Sequence, residues 1–174
     1  HTPGYGYGVF DIGERKLLVI HVLCQLFMKL LVDCPFACVD AILKDYTLGT
    51  DVDAIVVDVH GEASSERMAL GHHLDGRVSL VIGSHTHVPT ADHQILPGGT
   101  AYLTDAGMCG DYDSVIGFKK DISLSGFTRK IRSGRMEPAT GEATLCGAWV
   151  DIDDATGLAV SIQPIRRGGM LESV

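Results

Sequence analysis

Two apolar runs of this chain end in histidine. Ala54–Val59 is followed by His60, and Val78–Ile82 leads through Gly83 into Ser84-His85-Thr86-His87. A neutral imidazole is the commonest nitrogen ligand for zinc, iron and manganese, so three of them close together could hold a metal ion. In an extended segment side chains alternate, which predicts that His85 and His87 face the same side. Loops that follow parallel strands meet in the crevice at their carboxyl ends, so residues distant in sequence can converge there. His60, His85 and His87 are therefore the candidate metal ligands. The competing reading of the same residues is three hydrogen-bonded, half-buried histidines.

Other polar residues are candidates to hold those ligands in place or to face a substrate. Asp58 lies two before His60 and Glu62 two after it, and Thr86 sits between the paired histidines. Asp105 and Asp111 stand in a glycine-rich stretch with Gly107 and Gly110. A carboxylate beside a ligating imidazole fixes its tautomer; a strand-end charge or a solvated turn is the alternative for each. His72 and His73 are adjacent on an expected helix, where neighbouring side chains diverge, and His93 follows Asp92 in a loop.

The elements that must position these residues read as βαβ units. Leu17–Leu23, Ala54–Val59 and Val78–Ile82 are short continuous apolar runs, as expected for strands covered on both faces. Asp33 is placed to cap a helix with Pro35 in its first turn, and Ser64 or Ser65 to start another running to about Asp75. His1–Gly8 reads as loop and Asp11–Lys16 as a polar turn. Pro97-Gly98-Gly99 turns into Thr100–Thr104, and Ala143–Asp151 with Leu158–Ile165 flank a hairpin turn at Asp153–Gly157. The prediction is an α/β fold, a single domain over residues 1–174, with a β-rich tail.

Bulk properties narrow the function classes. With 45% hydrophobic residues in 174, the chain can bury a core. Its 14 Lys+Arg against 22 Asp+Glu give a net charge of -8, which disfavours a phosphate backbone, so no nucleic-acid partner is expected. Five scattered cysteines do not form a disulfide scaffold, and Cys34 with Cys38 lacks a second pair for zinc. No run is apolar and long enough to span a membrane, and no basic segment leads into a hydrophobic run at the start. Neither a phosphate-binding Gly-Lys-Ser/Thr loop nor a nucleophile elbow is present.

Several blocks taken together carry a resemblance: Pro3-Gly4, Val56–Arg67 (VVDVHGEASSER), Leu70–Ser79, Gly83–Asp92 and Ile95–Gly117 (ILPGGTAYLTDAGMCGDYDSVIG). Through them essentially all of the chain resembles the bacterial YmdB-like metallophosphoesterases, a branch of the calcineurin-like phosphoesterase superfamily. The resemblance implies a four-layer α/β/β/α sandwich, here lacking its N-terminal third, with the chain starting about one third of the way in. It implies two divalent or trivalent metal ions (iron, manganese or zinc), with His60 and His85 on one and His87 on the other. The implied activity is metal-dependent hydrolysis of small phosphodiesters such as 2',3'-cyclic nucleotides by metal-activated hydroxide.

The same resemblance places the general acid, an aspartate and a Glu-Asn pair upstream of this chain, which by itself is expected to hold at most one metal and to catalyse poorly. An apolar surface and a sheet edge should then be exposed. A cytoplasmic location is implied, with either a homo-oligomer or a missing N-terminal segment completing the fold. The alternative is a non-catalytic metal-binding or assembly remnant. The chain departs from the family at His21, Cys24 and Gln25, where asparagine, glycine and arginine are usual, and at Gly61 and Ser64, which replace alanine and threonine.

Overall fold

The computed structural model describes residues 4–131 and 134–174; the first three residues of the loop expected over His1–Gly8 lie outside them. Strands β1 (Tyr7–Ile12), β2 (Arg15–Leu23), β3 (Ala54–His60), β4 (Leu80–Ser84), β5 (Gln94–Ile95) and β6 (Ala101–Leu103) form one sheet in the order β1-β2-β3-β4-β6-β5. β2, β3, β4 and β6 are parallel, and β1 and β5 are antiparallel at the two edges. A second sheet joins β7 (Gly110–Asp111), β8 (Ala143–Ile152) and β9 (Ala159–Arg167). Helices α1 (Pro35–Ile42), α2 (Ser64–His73) and α3 (Lys120–Thr128) complete the elements. Among the described residues no helix is long and apolar enough to cross a membrane.

The apolar runs behave differently on their two faces. Leu18, Ile20, Ile55, Val57, Val59 and Val81 are fully buried and join Val39 of α1 and Leu70 of α2 in one core. Their alternates, Val19, Val56, Asp58, His60, Ile82 and Ser84, are only partly covered. The expectation of two covered faces is thus corrected to one sealed face and one half-open face. The register decides what the open face presents: His21 pairs with Asp58 and Ile82, and Leu23 with His60 and Ser84. Because paired residues of neighbouring strands share a face, His21, Asp58, His60 and Ser84 gather at the carboxyl end of the open side.

Three local expectations change. β1 occupies residues read as loop and turn; it closes onto β2 with Ile12 opposite Arg15, leaving a two-residue turn in which Gly13 takes φ 63°. Its Phe10 and Ile12 remain exposed. α1 starts after Cys34, not Asp33, whereas α2 starts at Ser64 as expected and ends at His73; neither helix has a side-chain cap. α3 was not anticipated, since Lys120–Thr128 has neither a cap residue nor a clear apolar stripe. The β8–β9 hairpin is as expected, extended by a residue or two.

Candidate metal site

The Ser84–His87 segment leaves β4 abruptly. A side chain on Gly83 would place its Cβ 1.8 Å from the Thr104 carbonyl oxygen, so the next-to-last position of β4 must be glycine. Both histidines then adopt positive φ, 145° at His85 and 66° at His87, which costs roughly 1–3 kcal/mol each for a residue with a Cβ. The segment is therefore not the regular extended run from which period-two alternation was expected, and its two rings have different partners, His60 and Glu62 for His85 and the Ile116 carbonyl for His87.

What holds the strained loop is a buried carboxylate. Asp105 accepts the Thr86 N–H at 2.8 Å and the Gly107 N–H at 3.0 Å. Arg67 donates to the same carboxylate at 2.7 Å and to the Thr104 carbonyl at 2.9 Å. Arg67 and Asp105 are 2% and 1% exposed, so this is a fully desolvated pair.

His60 and His85 meet. His85 Nδ1 lies 3.1 Å from His60 Nε2. On the outer side of His60, Ser84 Oγ donates to Asp58 at 3.1 Å, and so must accept from His60 Nδ1–H, also at 3.1 Å. That assigns His60 Nε2 as the nitrogen with the free lone pair. On the outer side of His85, Nε2–H donates to Glu62 at 2.8 Å, which leaves Nδ1 unprotonated in the neutral ring. Burial, then the adjacent His85 and His21 rings, hold His60 below the usual histidine range. Two lone pairs thus face each other across a gap that a cation would fill. Two nitrogens about 2.0–2.1 Å from one ion and roughly 100° apart would stand about 3.1 Å from one another. Two imidazole nitrogens are a donor set that suits a borderline divalent cation.

His87 stands apart. Its Nδ1–H donates to the Ile116 carbonyl at 3.0 Å, which frees Nε2 as a ligand atom, the usual way a backbone oxygen orients a metal-binding imidazole. Among the described residues no group of three or more His, Cys, Asp or Glu side chains closes around one point. Of the other candidates, Glu62 touches His85 and Asp58 reaches His60 only through Ser84, while Thr86 and Asp105 shape the loop. Asp111 instead accepts from Asp113 N and Gly141 N and serves a turn. His73 is engaged with Asp40, and His72 and His93 are exposed.

Three residues were not singled out as parts of the site. Ser84 relays Asp58 to His60, Arg67 anchors Asp105, and His21 donates to or accepts from Asp58 at 2.7 Å. Ser84's position directly before His85 on a strand end was a usable signal. Arg67 offered none, being 38 residues from its partner.

A family model described as YmdB-like protein matches residues 1–165. The chain is 42% identical over 164 residues to a 2',3'-cyclic-nucleotide 2'-phosphodiesterase of Bacillus subtilis, covering 94% of this chain and 61% of that one. It superposes on the crystal structure of a hypothetical protein from Thermus thermophilus with a TM-score of 0.87 at 38% identity, covering 97% of this chain and 64% of the other. A novel phosphatase of Mycoplasma pneumoniae gives 0.83 at 32% identity, covering 95% and 58%. The chain spans 61%, 58% and 57% of the length of the three curated relatives that it matches.

Proposed function

The chain belongs to the YmdB-like protein family, and from that premise we propose that it is the metal-binding part of a phosphodiesterase acting on small phosphodiesters such as 2',3'-cyclic nucleotides. The observation that carries the reading is the facing pair His60 Nε2 and His85 Nδ1 at 3.1 Å, each ring locked from behind by an acceptor. The similarity to a 2',3'-cyclic-nucleotide 2'-phosphodiesterase supports the reaction class.

His60 and His85 would hold one metal ion, and His87, through Nε2, the second. A bound cation supplies Lewis acidity toward phosphoryl oxygens and lowers the pKa of water at the site. The chain's own residues prepare for this. Asp58, acting through Ser84, fixes the His60 tautomer, and Glu62 fixes that of His85. Asp105 holds the loop so that neither ring must reorganise when an ion arrives. The half-open sheet face leaves the cleft accessible to a small anion.

The test is hydrolysis of 2',3'-cyclic AMP by the manganese-loaded protein, with product followed by chromatography. Slow release of a nucleoside 3'-phosphate, abolished in His85→Ala, is expected. Manganese bound at His60 and His85 with no hydrolysis would sink the enzymatic reading and leave the binding remnant.

A further inference from the structure

The turn that carries the His87 contact also walls a cavity of about 540 Å3. Val115 N–H donates to Phe118 O and Phe118 N–H to Val115 O, at 2.9 and 3.0 Å, so Ile116 and Gly117 form a two-residue turn. Both central residues have positive φ, 48° and 92°. A turn of this kind favours asparagine, aspartate or glycine at its first central position, and a β-branched residue there is an outlier. The fold therefore tolerates an unfavourable residue whose carbonyl orients His87 and whose side chain lines the cavity, half exposed. Local rules broken in this way mark functional positions.

The remaining walls match that reading. Phe118 closes one side, Met136 another, and α3 contributes Ser123 and Phe127. Phe127 is 73% exposed at the mouth. Ser123 is 5% exposed, and its hydroxyl finds no hydrogen-bond partner among the described residues. A largely apolar pocket of this size, with one unpaired hydroxyl and Lys130 among its lining residues, suits a flat heterocycle that stacks on aromatic rings and offers a hydrogen-bonding edge.

Resting on the phosphodiesterase reading, we propose that this cavity is the nucleobase subsite of the substrate whose phosphate sits at the histidines. Ser123 hydroxyl meets the polar edge of the base, Phe118 and Phe127 contact its faces, and Ile116 couples base occupancy to His87 through one hydrogen bond.

The probe is adenosine, which carries no phosphate, titrated into the metal-free protein while the Ile116 and Met136 methyl resonances are followed. Saturable shifts at both methyls are expected. Phe127→Ala should weaken binding about tenfold or more, and Ser123→Ala roughly two- to tenfold while leaving the fold at least as stable. Ile116→Asn, favoured by the turn, should raise thermal stability and still weaken adenosine. Adenosine binding unchanged in all three variants would overturn the proposal, as would methyl shifts that follow protein concentration alone, which would mean a second chain fills the cavity. Manganese and inorganic phosphate, titrated separately, read the histidine site by itself. Loss of that response with adenosine binding intact would remove the phosphodiesterase reading but not the base pocket.

Discussion

Arg67 Nη1 and Asp105 Oδ2 lie 2.7 Å apart in a pair that water does not reach, and the same carboxylate oxygen accepts the backbone N–H of Thr86. One buried carboxylate thus links α2 to the strained loop between His85 and His87. The loop's conformation is set from below by this pair as well as by its own sequence.

Removing one member of that pair leaves a buried charge and, for Asp105, two backbone donors without acceptors. Asp105→Ala should destabilise the fold by about 3–5 kcal/mol. Arg67→Leu should cost a similar amount by stranding the carboxylate. Urea unfolding followed by circular dichroism measures both; a loss below about 1 kcal/mol in either would show that the pair does not hold the loop.

Glu62 is exposed, and its only described contact with the site is the His85 Nε2–H. Glu62→Gln keeps the shape and removes the charge that favours this tautomer. Affinity for cobalt, read from its visible absorption, should fall about 10–100-fold with unchanged melting temperature. Equal affinity would show that Glu62 does not orient the ligand.

Cys24 fills the space a side chain at 61 would need: a Cβ on Gly61 would fall 2.3 Å from Cys24 Cβ and 2.6 Å from its sulfur. Gly61→Ala should therefore cost about 1–3 kcal/mol by overpacking. In Cys24→Gly the same alanine should be accepted, so a double-mutant cycle should return a coupling above about 1 kcal/mol. Additive effects would refute the contact.

Burial pushes the Cys24 thiol up to about 11, with the Glu66 carboxylate adding to the shift. The thiolate is the nucleophile, so Cys24 becomes reactive only as pH rises toward that value. Iodoacetamide at pH 8 should alkylate exposed Cys34 and Cys38 and spare Cys24 in the folded protein, as peptide mass spectrometry would show. Modification of Cys24 at the rate of Cys34 would mean that the loop after β2 opens.

Strands ending in histidine were legible because β3 and β4 are apolar runs with no competing pattern, and the β8–β9 hairpin because its turn residues are distinctive. The meeting of His60 with His85 followed from strand ends sharing an edge. The divergence of His87 was not legible, since positive φ at both histidines is imposed by Asp105 and by the close approach of Gly83 to Thr104. Such tertiary forces leave no local trace. β1 was hidden by Gly8 and the glycines before it, and the polar residues Asp11 and Glu14–Lys16 around Gly13 read as a turn with no strand before it. α3 was hidden by its serines and glycine, which carry little helical preference.

The Cys24–Gly61 contact makes the two positions exchangeable in one order only. Glycine at both leaves a small void, whereas cysteine at 24 with alanine at 61 crowds the new methyl group against the sulfur. Chimaeras inherit the same asymmetry: joining this chain's first thirty residues to a partner with alanine at 61 should lose stability, while joining a segment with glycine at 24 to this chain's Gly61 should not.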